Sequence, residues 1–224
     1  MFVFLPLSQI FDGKRITETI DDKFDWLLVG DSHASYLGSD LARHGINCVS
    51  IRGGRIQHAR NYLESHDYCR EKMSALFLLL AGNNLDNEPP SGVATQMENL
   101  VYDIVTYNPT CIVITGTVVP RSSSLGGEDG FINRSEKFDS ELSQWGENHH
   151  HFLSDLFVDD CDKTGRGKIR SDLFIGDKTH LNKQGRTLLL DQILFVVEAV
   201  NRGEFTGRKE WGYKHSSRAT LWKF

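Results

Sequence analysis

Five short runs of the chain are continuously apolar, at residues 26–29, 48–51, 75–80, 111–114 and 152–158, and each stops at Gly, Ser, Asn, Pro or a charged stretch. Continuous rather than alternating burial is the pattern of strands covered on both faces, so these runs predict a parallel sheet. Between them the apolar positions recur every three or four residues. That spacing predicts helices over 35–44, 56–65, 95–107 and 183–201, the last burying Leu188, Leu189, Ile193, Val196, Val197 and Val200. Strand and helix alternate along the chain, which leads to an open parallel sheet with helices on both sides.

Two stretches break that rhythm. Residues 121–130 are small, polar and glycine-rich and read as a loop at the rim, with Arg121 a solvated arginine there. Residues 159–168 are charged, carry Gly165 and Gly167, and read as a surface connection. The apolar opening, residues 1–7, has no basic flank or small-residue cleavage site and is broken by Pro6, so it is expected to pack on the domain as an arm. With 224 residues, one core takes up residues 1–201, and residues 202–224 form a separate basic, aromatic tail.

Composition narrows the class. The chain is 39% hydrophobic and 25% charged, which describes an ordinary globular protein, and its net charge of −5 argues against a generic nucleic-acid binder. Cys48, Cys69, Cys111 and Cys161 are scattered, without a Cys-x-x-Cys pair. They are expected as reduced thiols in a cytoplasmic protein. The tail differs, mixing Arg202, Arg208, Lys209, Lys214, Arg218 and Lys223 with Trp211, Tyr213 and Trp222. Such a mixture suits a weak nucleic-acid or membrane contact, against the plainer expectation that its aromatics fold back onto the domain.

In an open parallel sheet, ligands sit beyond the carboxyl ends of the strands, where strand order reverses. Ser32 follows the first strand, Gly53 the second, and Asn83 with Asn84 the third. A serine nucleophile needs a base and donors aimed at the developing oxyanion. The serine's own backbone N–H, the unobstructed N–H of Gly53 and the side-chain amide of Asn83 are candidate donors. Asp177, three residues before His180, can hold the imidazole in the tautomer that leaves Nε2 free as base. The competing reading of Asp177 is a simple cap for the following helix. His149, His150 and His151 are adjacent, lack metal-ligand spacing and read as a surface loop entering a strand.

At these residues the chain resembles the SGNH or GDSL hydrolases. Gly30-Asp31-Ser32-His33 is similar to their nucleophile block, Gly53 to their glycine block, Ala81-Gly82-Asn83-Asn84-Leu85 to their Gly-x-Asn-Asp block, and Asp177-Lys178-Thr179-His180 to their Asp-x-x-His block. All four occur in family order. The resemblance implies a flavodoxin-like three-layer α/β/α sandwich with a mostly parallel five-stranded sheet, and a serine esterase. It further implies a triad of Ser32, Asp177 and His180, an oxyanion hole of Ser32, Gly53 and Asn83, and neither metal nor organic cofactor. The expected substrate is a small-molecule, lipid or carbohydrate ester such as an acetyl ester, with no obligate protein partner.

The departures are His33 where leucine is usual, Ala81 for the leading glycine and Asn84 for the final acid. His33 is read as a helix-start residue without catalytic duty. The rival function is a catalytically idle module of the same fold that binds RNA or a protein partner through the tail. A nucleotide binder is disfavoured because no glycine-rich phosphate loop follows the first strand.

Overall fold

The computed structural model of the protein describes residues 7–66, 72–121, 127–143, 149–154, 157–159, 168–203, 211–213 and 222–223. Four of the expected strands appear almost as read: β3 (Trp26–Gly30), β4 (Ile46–Ile51), β5 (Ala75–Leu79) and β6 (Ile112–Gly116). The fifth, β7 (His149–Ser154), begins three residues earlier than its apolar run, because parallel pairing of Val113 with His149 carries the strand through the three histidines. Polarity had hidden that start. These strands are parallel neighbours in the order β4-β3-β5-β6-β7.

The sheet is wider than five strands. A hairpin unseen in the sequence pattern, β1 (Leu7–Phe11) and β2 (Lys14–Thr19), adds antiparallel to β4, with Ile16 opposite Ile51. Its turn places Asp12 and Gly13 at positive φ, 49° and 69°. On the other side β10 (Trp211–Tyr213) pairs parallel with β7, and β11 (Trp222–Lys223) pairs with β10, making nine strands. Beyond residues 202–203, which follow the last helix, the rest of the expected tail and residues 1–6 of the expected arm lie outside the described residues. A separate two-stranded ribbon joins β8 (Val158–Asp159) to β9 (Lys168–Ile169).

Alternation along β3 shows how the layers form. Leu27 and Val29 enter one core with Val49, Leu76, Leu78 and Val113, whereas Trp26 and Leu28 enter the other with Cys48, Phe77, Leu79 and Ile114. All five residues of β3 are buried, so both faces exclude water. The first core is closed by α2 (Ile56–Ser65), the short α3 (Gly82–Leu85), α4 (Pro90–Tyr107) and α5 (Gly127–Leu142), which contribute Tyr62, Leu85, Met97 and Phe138 among others. The second is closed by a 3-10 turn (Ser32–Tyr36), α1 (Gly38–Arg43) and α6 (Lys183–Asn201), through Leu37, Leu41, Ile193 and Val196. The result is a three-layer α/β/α sandwich.

Boundary differences have local causes. α4 starts at Pro90 rather than 95, since proline at the first helical turn costs no hydrogen bond. α5 starts at Gly127, inside the stretch expected as rim loop; residues 122–126 of that loop lie outside the described residues. Cys48 and Cys111 are free, buried thiols, and burial pushes each up to about 12. Cys69 and Cys161 lie outside the described residues. Among the described residues no helix is long and apolar enough to cross a membrane.

Candidate active site

Strand β3 delivers the first group. Its backbone leaves the sheet at Asp31, whose carboxylate caps the following turn by accepting the His33 N–H at 3.0 Å. Ser32 is thereby the first residue of that turn, half-buried, at the carboxyl end of the strand where the order reverses from β4 to β5. Ser50 fixes the bend from β4, donating to the Asp31 carbonyl at 2.9 Å while lying 2.6 Å from Ser35 Oγ.

His33 lies in that turn, at the start of the helical layer as expected, and makes two contacts there. Its ring is 4% exposed, with Nδ1 2.9 Å from Asp31 Oδ1 and Nε2 2.9 Å from the Thr179 carbonyl. A carboxylate and a carbonyl are both acceptors, so the ring serves both only when each nitrogen carries a proton. It is a strut between the serine turn and the segment that bears Asp177 and His180, and its ring lies 6.0 Å from that of His180. A histidine beside a capping aspartate was the only sequence signal for it.

The segment 174–181 is a closed loop before α6. Phe174 bridges Leu181 in antiparallel fashion, Ile175 N–H donates to the His180 carbonyl, and Asn182 N–H donates to the Leu173 carbonyl, each N–H bond at 2.9 Å. Asn182, not Asp177, caps α6: its Oδ1 accepts Gly185 N–H at 3.1 Å while its Nδ2 donates back to the carbonyls of Asp172 and Phe174. Asp177 is thus left for the imidazole. Its Oδ2 lies 2.7 Å from His180 Nδ1, and its Oδ1 accepts the backbone N–H of Thr179 and of His180, both at 2.9 Å. The His180 N–H first, then the ring and the Thr179 N–H, outweigh partial desolvation and hold this carboxyl at about 2.

The donor side comes from β4 and β5. Gly53 sits at φ 63°, a left-handed conformation that glycine adopts without steric cost, and its N–H has no acceptor among the described residues. The same is true of Ser32 N–H. Asn83 and Asn84 differ sharply. Asn84 is buried and spent, accepting from Ile56 N–H and donating to Glu88 and Gln96. Asn83 donates to the Gly54 carbonyl at 2.8 Å and accepts from Arg121, which leaves one amide proton uncommitted. Ala81, in place of the family's glycine, is forced to φ 84°, a left-handed strain of about 1–2 kcal/mol for a residue with a Cβ.

Arg121 is not a solvated rim residue. It is 5% exposed and its guanidinium reaches Asn83 Oδ1 at 3.0 Å, Asp86 at 3.2 Å and Asp31 Oδ2 at 3.4 Å, tying together the ends of β3, β5 and β6. Gly82 makes room for it, since a Cβ there would collide with the guanidinium. Burial would push the Asp31 carboxyl up, but the charge and hydrogen bonds of His33 and the charge of Arg121 together hold it below the ordinary range.

Ser32, Asp177 and His180 line one open cleft of about 540 Å³; Gly53 and Asn83 lie outside its lining. No direct hydrogen bond joins Ser32 Oγ to His180 among the described residues. A hollow of about 270 Å³, bordered by Thr17, Ser35, Tyr36 and Ser50, adjoins that cleft. Among the described residues no group of three His, Cys, Asp or Glu side chains could hold a metal ion; the side chains of His149, His150 and His151 lie outside that set.

The three-layer sandwich with its parallel central strands shares its fold with solved GDSL-like lipases and esterases. A GDSL-like lipase from Bacteroides thetaiotaomicron superposes with a TM-score of 0.63 at 9% identity, over 80% of this chain and 89% of its own. A carbohydrate esterase of family 3 from Talaromyces cellulolyticus gives 0.58 at 13% identity, over 80% and 99%. A psychrotrophic esterase from Pseudoalteromonas, seen inhibited by monoethylphosphonate, gives 0.54 at 16% identity, over 80% and 99%. No family model matches the sequence, and no curated protein does.

Proposed function

We propose that the protein is a serine ester hydrolase whose triad is Ser32, His180 and Asp177. The observation that carries this reading is the Asp177–His180 pair, 2.7 Å apart, opening into the same cleft as the serine that ends β3. Asp177 keeps the proton on Nδ1, so Nε2 accepts the Ser32 hydroxyl proton as Oγ attacks the ester carbonyl. The oxyanion is received by the N–H groups of Ser32 and Gly53 and by the free amide proton of Asn83, each such donor worth on the order of 100-fold in rate. His180 then gives its proton to the leaving alcohol, and water, deprotonated by the same nitrogen, cleaves the acyl-enzyme. The hollow beside the cleft gives room for the acyl group of a small ester, acetyl among them. Ser32 Oγ and His180 Nε2 come into hydrogen-bond reach as the substrate seats, a tightening common in enzymes.

Labelling by a fluorophosphonate probe and hydrolysis of short p-nitrophenyl esters test this. Wild type should react in both assays and Ser32→Ala in neither, while keeping its unfolding midpoint. Labelling that survives Ser32→Ala, or an inert wild type, overturns the proposal.

A further inference from the structure

The walls of the cleft are strongly cationic in a chain whose net charge is −5. Arg15, Arg52 and Arg186 line it beside Ser32 and His180, and Asp177 is its one acidic lining residue. Asp177 has both oxygens committed within its own loop and makes no ion pair with any of the three.

Arg15 and Arg52 are next to each other by construction. The antiparallel register of β2 on β4 continues past Ile16 and Ile51, and Arg52 N–H donates to the Arg15 carbonyl at 2.9 Å. Like charges directly opposite on adjacent strands repel. Both side chains are exposed towards the cleft, and among the described residues neither guanidinium has a side-chain partner. Arg186 is held differently. It lies 4.6 Å over the Tyr36 ring, and its Nε donates to the Asn182 carbonyl at 3.3 Å, which leaves the outer edge of its fork unengaged. Lys14, on the far side of β2, sits against Gly53 and adds to the same field.

Two adjacent exposed arginines and a third stacked on Tyr36 give the cleft a wall of guanidinium groups that an anion can bridge. We infer that this cleft selects esters that carry a second, anionic group, a carboxylate or a phosphate, held by Arg15 and Arg52 while the ester carbonyl lies at Ser32. Planar guanidinium forks match both oxyanions in bidentate fashion. The inference rests on the hydrolase reading above and narrows its substrate. It also accounts for the hairpin β1–β2, which brings Arg15 and Thr17 to the cleft from outside the parallel sheet.

The test uses matched esters: the p-nitrophenyl monoester of glutarate against its neutral methyl ester, and 4-acetoxybenzoate against methyl 4-acetoxybenzoate, placing the anion on the acyl or the alcohol side. The expected result is a kcat/KM higher for the anion by about tenfold or more in at least one pair. That preference should shrink as salt rises and fall towards unity in Arg15→Gln/Arg52→Gln. An enzyme that cleaves neutral and anionic members equally in both pairs overturns the inference and leaves the hydrolase reading intact. Binding of the corresponding uncleavable amides by calorimetry reads the cleft even without turnover. Failure of the anionic amides to bind more tightly than the neutral ones overturns the inference, whereas inert esters with selective amide binding overturn only the hydrolase reading.

Discussion

Asp31 serves His33 and Arg121 at once, and its removal should be felt in stability before it is felt in chemistry. Asp31 is 4% exposed, accepts twice from His33 and pairs with Arg121. Asp31→Asn keeps the shape but leaves the buried Arg121 with Asp86 alone as carboxylate partner among the described residues, and should cost about 3 kcal/mol. Urea unfolding reads this as a midpoint lower by about 1.5 M for a slope of about 2 kcal/mol/M. Because the folded carboxyl titrates below its unfolded value, its contribution is fully present above about pH 4 and fades as the solution is acidified through the folded pKa. The gap between variant and wild type should therefore narrow in acid. A gap below 1 kcal/mol at about pH 7 would mean that Asp31 is worth no more than a surface pair.

The loop that bears Asp177 and His180 and α6 behave as one element, because Asn182 caps the helix with one end of its amide and ties down the loop with the other. Asn182→Ala should lower stability by about 1 kcal/mol through the lost cap, and should reduce kcat more than it raises KM, since the loop then holds His180 less firmly. An unchanged kcat in a destabilised variant would separate cap from loop. Acid titration probes the same element. With the Asp177 carboxyl held at about 2, its stabilising contact persists above the unfolded range and is lost only as pH falls towards that value. The acid limb of the rate profile should thus show a single ionisation, none of it from Asp177. A second ionisation between about pH 3 and 5 in kcat/KM would show that Asp177 is not held so low.

Across the whole molecule, what the sequence made legible was whatever a local pattern encodes. Continuous apolar runs marked β3 to β6, and helical spacing marked α2 and α6 with their observed limits. The hairpin escaped because Lys14–Thr19 alternates in a way that shows only Ile16 as core, and its purpose lies in its pairing with β4. Ser32, Asp177 and His180 could be named because short motifs carry them. His33 and Arg121 could not, since their partners are 146 and 90 residues away and a buried arginine looks like any other in a sequence. The strut from His33 to the Thr179 carbonyl carries a consequence for synthesis. On the proposed triad, Ser32 emerges from the ribosome about 145 residues before Asp177 and His180. Until that loop follows, the proposed nucleophile has neither base nor strut, and a product truncated before residue 177 should keep most of the parallel sheet yet give no fluorophosphonate labelling.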